Sequence, residues 1–551
     1  MARAFPSRAR SDHASARSAS TSASLSPARR ASATRPAATG PNSPGSATTP
    51  LYASAARIRR SRFGSLSMVL PARHDHALPR GSSRRMERGT SAMQDEAWQH
   101  PGQPFPGGYD DPRSDEQRAA DKDRVSPQIK DLLQRRKDVG FRRELVKTLQ
   151  QRRSGRDVAQ FYPIEWAEQE GAQRFDTLLA AGELLVHGKD ANQPSVQGFA
   201  QTYGFSQMPV ACLDGRVVRL VNRQVGVGRL EVIARLLQGQ GVRASVNHIT
   251  PLGPVAKGLG GPEPSNGSRP FPGNREQAPA AVKVAIIDTG IAGTPRGDQW
   301  LAGVPRDAGN VDPLDAYPPF GFLDFGAGHG TFAAGVLQQV FPQAGLRVYR
   351  ALDSDGIGSE VDVACAMVRA VKDGAQVLNL SLGSQTFDDG PPVAIEVALE
   401  IIAELEQRDS REVLVVAAAG NFGGDRKVWP AAFDRRVHPV AAVAGLRADL
   451  TPAEWSSRGP WVDCSTIAEG VLSTYVEGQE SFEIDPRPDS FPRDAWAVWT
   501  GTSFAAPQIA GAVARLCHEE GRAPRAALEE LLRRGRPIKD FGVAVEILPG
   551  T

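Results

Sequence analysis

The most regular hydrophobic patterning lies in the second half of the chain. Five of the six residues 282–287 (VKVAII) are apolar, a density that suits a parallel strand buried on both faces. The run ends at Asp288, with Thr289 and Gly290 as the turn. Beyond Ser503, the apolar positions Phe504, Ala505, Ile509, Ala510, Ala512, Val513 and Leu516 predict a helix buried over most of its circumference. Thr502 is its expected N-cap. A second small-residue helix opens at His329, which stands between Gly328 and Gly330 in GAGHGTFAAGVL, residues 326–337.

Upstream the periods change. Ser126 and Pro127 read as a helix start with proline at the first position, followed by Ile129, Leu132 and Leu133, and then by Phe141, Leu145 and Leu149 at four-residue spacing. GELLVHG reads as a strand and residues 195–203 as a short helix. MPVACLDGRVVRLVN reads as two strands joined at Asp214-Gly215, a hairpin signal. Leu230, Val232, Ile233, Leu236 and Leu237 share one helical face, and VRASVNHI closes as a strand. The order βαββαβ predicts a ferredoxin-like α+β unit.

These patterns divide the 551 residues into a polar leader (1–122), a helical segment (123–182), the ferredoxin-like unit (183–250), a Gly/Pro/Ser/Asn-rich flexible linker (251–280) and a large α/β domain (281–551). Residues 1–92 hold sixteen Arg, no Lys and three acids, Asp12, Asp75 and Glu87. The remaining chain, with 49 basic and 59 acidic residues, is therefore acidic, and the overall net charge of +3 comes from the leader. Dispersed arginines attract phosphate, but without a dense block or interleaved aromatics the leader does not read as a nucleic-acid-binding arm. Targeting segments share this Arg- and Ser-rich, acid-poor composition. Arginine without lysine also fits read-through of GC-rich DNA, with Met68, Met86 or Met93 as the true start. None of these starts precedes an uninterrupted apolar signal segment, and no apolar run of about 18 residues could span a membrane; the reading favours a cytoplasmic over a secreted protein. Of the four cysteines, Cys212, Cys365, Cys464 and Cys517, those at 365 and 517 fall on helix patterns and are expected as core thiols.

Asp288, His329 and Ser503 are the three chemical types that hydroxyl-nucleophile catalysis requires: an orienting acid, a base and a nucleophile. Asp288 lies at the carboxyl end of a strand, where open α/β sheets place their sites. Ser503 lies at a helix start, whose unpaired N–H groups can stabilise developing negative charge. The chain order Asp–His–Ser is that of subtilisin, and residues 281–518 resemble a subtilisin-type (subtilase) serine protease. VVAAAGN (415–421) resembles the family's oxyanion strand and its asparagine, and VLNLSLG (377–383) the strand bordering the substrate cleft.

The resemblance implies a parallel-sheet three-layer catalytic domain that hydrolyses polypeptides near neutral or alkaline pH, where a histidine base is unprotonated. Ser503 would be the nucleophile, His329 the base, Asp288 the orienting carboxylate and Asn421 an oxyanion donor beside the Ser503 N–H. Gly356, Ile357 and Gly358 would form one substrate-pairing edge and Ser381, Leu382 and Gly383 the other. Ala418, Ala419 and Gly420 would line a first specificity pocket together with Ala417, with Val428 near its floor. That lining suits small or medium apolar side chains. The position just ahead of the protease makes the ferredoxin-like unit resemble an inhibitory propeptide, hence an intramolecular partner, with self-cleavage expected in the linker. No cofactor is implied; subtilases often bind calcium, but no aspartate-rich loop with ligand spacing is readable. Phe332 stands where many members carry a second histidine, and Glu469 where proline is frequent. His329 itself argues against the sedolisin branch, whose base is a glutamate. Two alternatives remain: a macrocyclase or transpeptidase, shielded from water by the insertion-like stretch 475–499, and a catalytically silent peptide-binding module.

Overall fold

The computed structural model describes residues 110–134, 139–154, 164–168, 176–250, 261–272, 282–386, 389–483 and 487–551. The leader reading for residues 1–109 lies outside this set.

Two helices come first, α1 (Asp115–Gln134) and α2 (Val139–Arg153). Helix α1 begins well before the expected Ser126-Pro127 start, and Pro127 lies within it. Tertiary contacts override that local signal. Val125, Gln128 and Leu132 are buried, and the Gln128 amide donates to the Val498 carbonyl (3.1 Å). Strand β1 (Ile164–Glu168) follows, then β2 (Asp176–His187), α3 (Pro194–Thr202), β3 (Ser206–Pro209), β4 (Val217–Val221), α4 (Val227–Gln238) and β5 (Ala244–His248). Strand β2 starts earlier than the boundary at 183 because its first half pairs with β1. Its second half lies between β4 and β5, and β3 completes the hairpin with β4. The resulting β5-β2-β4-β3 arrangement is the sheet order of a split βαβ unit. One face packs on α3 and α4 through Leu184, Val186, Leu220, Leu230 and Ile233.

The remaining elements are β6 (Glu263–Pro264), β7 (Lys283–Asp288), β8 (Ile291–Ala292), β9 (Val311–Asp312), α5 (His329–Val340), β10 (Gly345–Arg350) and α6 (Glu360–Lys372). Then come β11 (Val377–Leu380), α7 (Val393–Asp409), β12 (Leu414–Ala418), β13 (Val440–Leu446), β14 (Cys464–Ile467) and β15 (Val471–Thr474). The chain closes with β16 (Gly478–Gln479), β17 (Ser490–Phe491), β18 (Trp496–Trp499), α8 (Thr502–Glu520), α9 (Pro524–Arg533), β19 (Arg536–Ile538) and β20 (Gly542–Ala544). Part of the expected linker is ordered, since β6 pairs antiparallel with β18.

An eight-stranded sheet runs β10-β7-β11-β12-β13-β14-β20-β19 and is parallel except at β19–β20. Period-2 alternation feeds two cores. Val284 and Ile286 face the layer of α5 and α8, while Ala285 and Ile287 face α6 and α7. This double burial is why β7 reads as a continuous apolar run. The architecture is a three-layer α/β domain with a small α+β unit ahead of it.

The cysteine reading needs correction at Cys365. It is joined to Cys212 in a disulfide, although the residues are 153 positions apart and no local pattern marks them as partners. Cys464 and Cys517 are free and buried.

Candidate active site

Asp288 is the last residue of β7, and its backbone carbonyl accepts from the N–H groups of Ala351 (2.8 Å) and Leu352 (3.1 Å). The side chain is fully buried. Oδ1 accepts from the Thr289 N–H at 2.8 Å. His329 opens α5, and its Nδ1 lies 2.8 Å from Asp288 Oδ1 and 3.0 Å from Oδ2. The flanking glycines allow this approach. Gly328 adopts φ 75°, and a Cβ on Gly330 would lie 2.3 Å from the Gly290 carbonyl oxygen. The imidazole packs against Trp499 and Phe504, both at 5.2 Å between ring centres. Phe332 fills the space behind them, 4.6 Å from Phe504.

Ser503 occupies the first turn of α8. Its hydroxyl donates to the Ser381 carbonyl at 3.0 Å, and no hydrogen bond joins it to His329 among the described residues. Catalytic contacts often tighten only when substrate binds. Pro507, four residues on, has no N–H to offer the Ser503 carbonyl; the Ser381 hydroxyl donates to that oxygen instead, at 2.6 Å. A proline inside a helix thus ties the turn that holds Ser503 to the segment after β11.

The expected cap at Thr502 is not observed. Gly501 is the N-cap residue and Thr502 the first helical one. The Thr502 hydroxyl is used elsewhere, donating to Asn421 Oδ1 (2.9 Å) and accepting from the Gly420 N–H (3.0 Å). The Thr502 N–H also donates to Asn421 Oδ1, at 3.0 Å. With its oxygen fully engaged, Asn421 presents Nδ2 beside Gly501, 3.4 Å from where a Cβ there would stand. The structure therefore gathers Asp288, His329, Ser503, Asn421 and Ser381 at the carboxyl end of the sheet.

Comparison with known proteins gives the family. The family model described as "Subtilase family" matches residues 280–536. Thermitase of Thermoactinomyces vulgaris is 29% identical over 288 residues, covering 48% of this chain and 89% of that one. Subtilisin BL of Lederbergia lenta is 32% identical over 269 residues, covering 45% of this chain and 83% of its own. This chain belongs to the subtilase family. It is a serine endopeptidase acting on polypeptides. Among solved structures, fervidolysin from Fervidobacterium pennivorans matches at 18% identity with a TM-score of 0.46, over 69% of this chain and 61% of that one, too loose a likeness to add to the sequence relationship.

Around the subtilase site, Gly356, Ile357 and Gly358 form an edge that the chain already uses. The Gly358 carbonyl accepts from the Thr250 N–H (2.8 Å) and from its hydroxyl (3.1 Å), and Ile249 bridges Ser359. Helix α2 reaches the same edge. Leu149 joins Ile249, Phe325 and Ile357 in one apolar cluster. The Arg153 guanidinium bonds both Asp355 oxygens (2.6 and 2.7 Å), and Arg152 bonds Asp324 at 3.1 Å. Burial pushes the Asp324 carboxyl up to about 6, against the opposing pull of Ser354, Ala316 and Arg152. Nothing in the local sequence marks Arg152 and Arg153 as partners of these carboxylates.

Leu382 and Gly383 follow β11, and a Cβ on Gly383 would meet Val428 Cγ1 at 2.7 Å. Ala418 ends β12 and Ala419 and Gly420 follow it; the same Val428 Cγ1 lies 3.2 Å from the position of a Gly420 Cβ. Among its described residues the stretch 475–499 holds no helix: β16 pairs with β17 and β18 with β15, and Tyr475, Phe491 and Trp496 are buried.

Sequence reasoning missed Asp312. Its Oδ2 accepts from the Thr289 hydroxyl (2.8 Å) and the Gly328 N–H (2.9 Å). It thereby joins the side chain of the residue after Asp288 with the backbone of the residue before His329. Burial pushes this carboxyl up to about 6, opposed by its hydrogen bonds from Gly328, Thr289 and Leu314. Among the described residues, no group of three or more His, Cys, Asp or Glu could hold a metal ion, and no helix is long and apolar enough to cross a membrane.

Proposed function

We propose that this subtilase cleaves peptide bonds through Ser503, with His329 taking and returning the proton and Asp288 fixing the imidazole tautomer. The observation that carries the reading is the Asp288–His329 pair, in which Nδ1 faces both carboxylate oxygens. That contact leaves Nε2 as the face that accepts the hydroxyl proton. Asn421 Nδ2 and the Ser503 N–H would receive the oxyanion. Clamping of the Asn421 oxygen by Thr502 supports that assignment, because a donor held before reaction spends nothing on reorganisation.

The enzyme would be made as a self-inhibited precursor. Thr250 already pairs with Gly358, so the end of the ferredoxin-like unit occupies backbone groups that a substrate strand would use. The first specificity pocket, walled by Ala418, Ala419, Gly420 and Val428, carries no charge and would take small or medium apolar side chains. A fluorophosphonate probe should label the active enzyme at Ser503 and leave Ser503→Ala unlabelled; equal labelling of both would overturn the nucleophile assignment. Cleavage of a peptide library mainly after Arg or Lys would overturn the pocket reading. The ferredoxin-like unit added in trans should inhibit at micromolar concentration, and no inhibition there would count against the precursor.

A further inference from the structure

The four cysteines fall into two unlike pairs. Cys464, on β14, is fully buried, and burial drives its thiol far above the ordinary range. Cys517, on α8, is also buried and has its thiol pushed up to about 12 by burial. Thiols so placed are poor nucleophiles. The disulfide is placed differently. Cys212 lies in the 3-10 turn Ala211–Leu213 of the ferredoxin-like unit and is exposed, while Cys365 lies on α6 of the catalytic domain and is partly exposed.

Only the main chain after Thr250 and this disulfide join the two parts covalently. Their other contacts are reversible, as are those of α1, α2 and β6, which remain with the unit after a cut at 273–280. Leu185, Val210, Leu213 and Val217 share a core with the residues of α6 and α7. Around that patch Arg216 bonds Glu404 (2.6 Å) and Arg243 bonds Glu400 (2.7 Å). A cut in the segment 251–280 therefore leaves the unit tethered, at an effective concentration of order millimolar. Opening the disulfide turns its departure into a bimolecular dissociation.

We propose that Cys212–Cys365 is a reducible latch, opened by a small thiol or dithiol, and that a chain cut after Thr250 keeps its ferredoxin-like unit until that bond is reduced. A reductant thiolate attacks the exposed Cys212 sulfur, forming a mixed disulfide and expelling the Cys365 thiolate, which takes up a proton. A second reductant thiol then displaces Cys212 as a thiol. Two electrons pass to the protein, and the reductant leaves as its own disulfide. The consequence for activity rests on the proposed inhibitory role of the unit; retention of the unit does not.

The test uses the full chain carrying Ser503→Ala, with a recognition sequence for an unrelated protease inserted between residues 273 and 280. After cutting, a denaturing gel without reductant should show one species, and with dithiothreitol two. Alkylation of the unfolded, unreduced protein should modify two cysteines, and four after reduction. Four modified cysteines without reductant, or two separate pieces on the unreduced gel, would overturn the latch. Cut Cys212→Ser should separate without reductant. In the active chain cut the same way and assayed at nanomolar concentration, dithiothreitol should raise peptide hydrolysis at least tenfold, with no rise for Cys212→Ser. One covalent species whose unit leaves on gel filtration after reduction, with activity unchanged, would support the latch and refute the inhibitory reading; a unit still held through α1, α2 and β6 after reduction would overturn release by the disulfide.

Discussion

At the residue scale, two side chains outside the proposed catalytic groups support the proposed chemistry. The Thr502 hydroxyl holds Asn421 Oδ1 at 2.9 Å, so Thr502→Val should release the amide and lower kcat about tenfold, the effect of one lost hydrogen bond of roughly 1.4 kcal/mol. KM should stay within twofold and Thr502→Ser should restore the rate; a change confined to KM would contradict the clamp. Asn421→Ala should cost more, roughly 100- to 1,000-fold in kcat, the range known for the corresponding donor of subtilisin. Asp312 makes a prediction of opposite kind. Its folded-state value of about 6 lies above the ordinary 3.8, so the folded protein holds the extra proton more tightly between those values. Its contribution to stability is full below about pH 4 and lost as pH rises through 6. In the Ser503→Ala background, Asp312→Asn should flatten the fall in Tm across that window; an unchanged Tm profile would contradict the shift. Asp288, His329, Ser503 and Asn421 were legible as candidates because each sits in a short motif at a strand end or helix start. Asp312 and Thr502 were not, because their roles arise from partners 16 to 81 positions away.

At the element scale, α2 is the clearest departure from local patterning. Its apolar spacing announces a helix, but its location follows from Arg152 and Arg153, which are 7% and 5% exposed and reach Asp324 and Asp355 across the domain. A buried ion pair that loses one partner leaves the other charge uncompensated, at a cost of about 3–5 kcal/mol. Arg153→Ala should therefore free α2 from the Asp355 edge. Hydrogen exchange over 139–153 should become at least tenfold faster while the central sheet keeps its protection. Unchanged protection in α2 would show that Leu149 and its apolar neighbours suffice. The same lesson explains α1, where Pro127 suggested a beginning and burial of Val125, Gln128 and Leu132 extended the helix to both sides.

At the scale of the whole molecule, the ferredoxin-like unit meets α6 and α7 through an apolar patch rimmed by charge pairs. Exposed pairs such as Arg216–Glu404 contribute little each and are screened by salt. Inhibition by the unit in trans should weaken severalfold between about 0.05 and 0.5 M salt without disappearing, as a Ki measured at both strengths would show. A salt-independent Ki would place the affinity in the apolar patch alone. The sequence by itself determined the catalytic domain's class, the identity and order of its Asp, His, Ser and Asn, and the βαββαβ order ahead of it. These follow from local rules: double burial makes β7 a continuous apolar run, and strand and helix ends supply the positions where chemistry can sit. Only the tertiary structure decided that Cys212 pairs with Cys365, that α2 lies along the Gly356–Gly358 segment, and that Asp312 joins the loops next to Asp288 and His329. Each of those depends on groups far apart in the chain, and the three-dimensional packing that unites them leaves no periodic trace. The surroundings of Ser503 were written in the apolar run that follows it; what holds and covers it was assembled from distant parts of the chain.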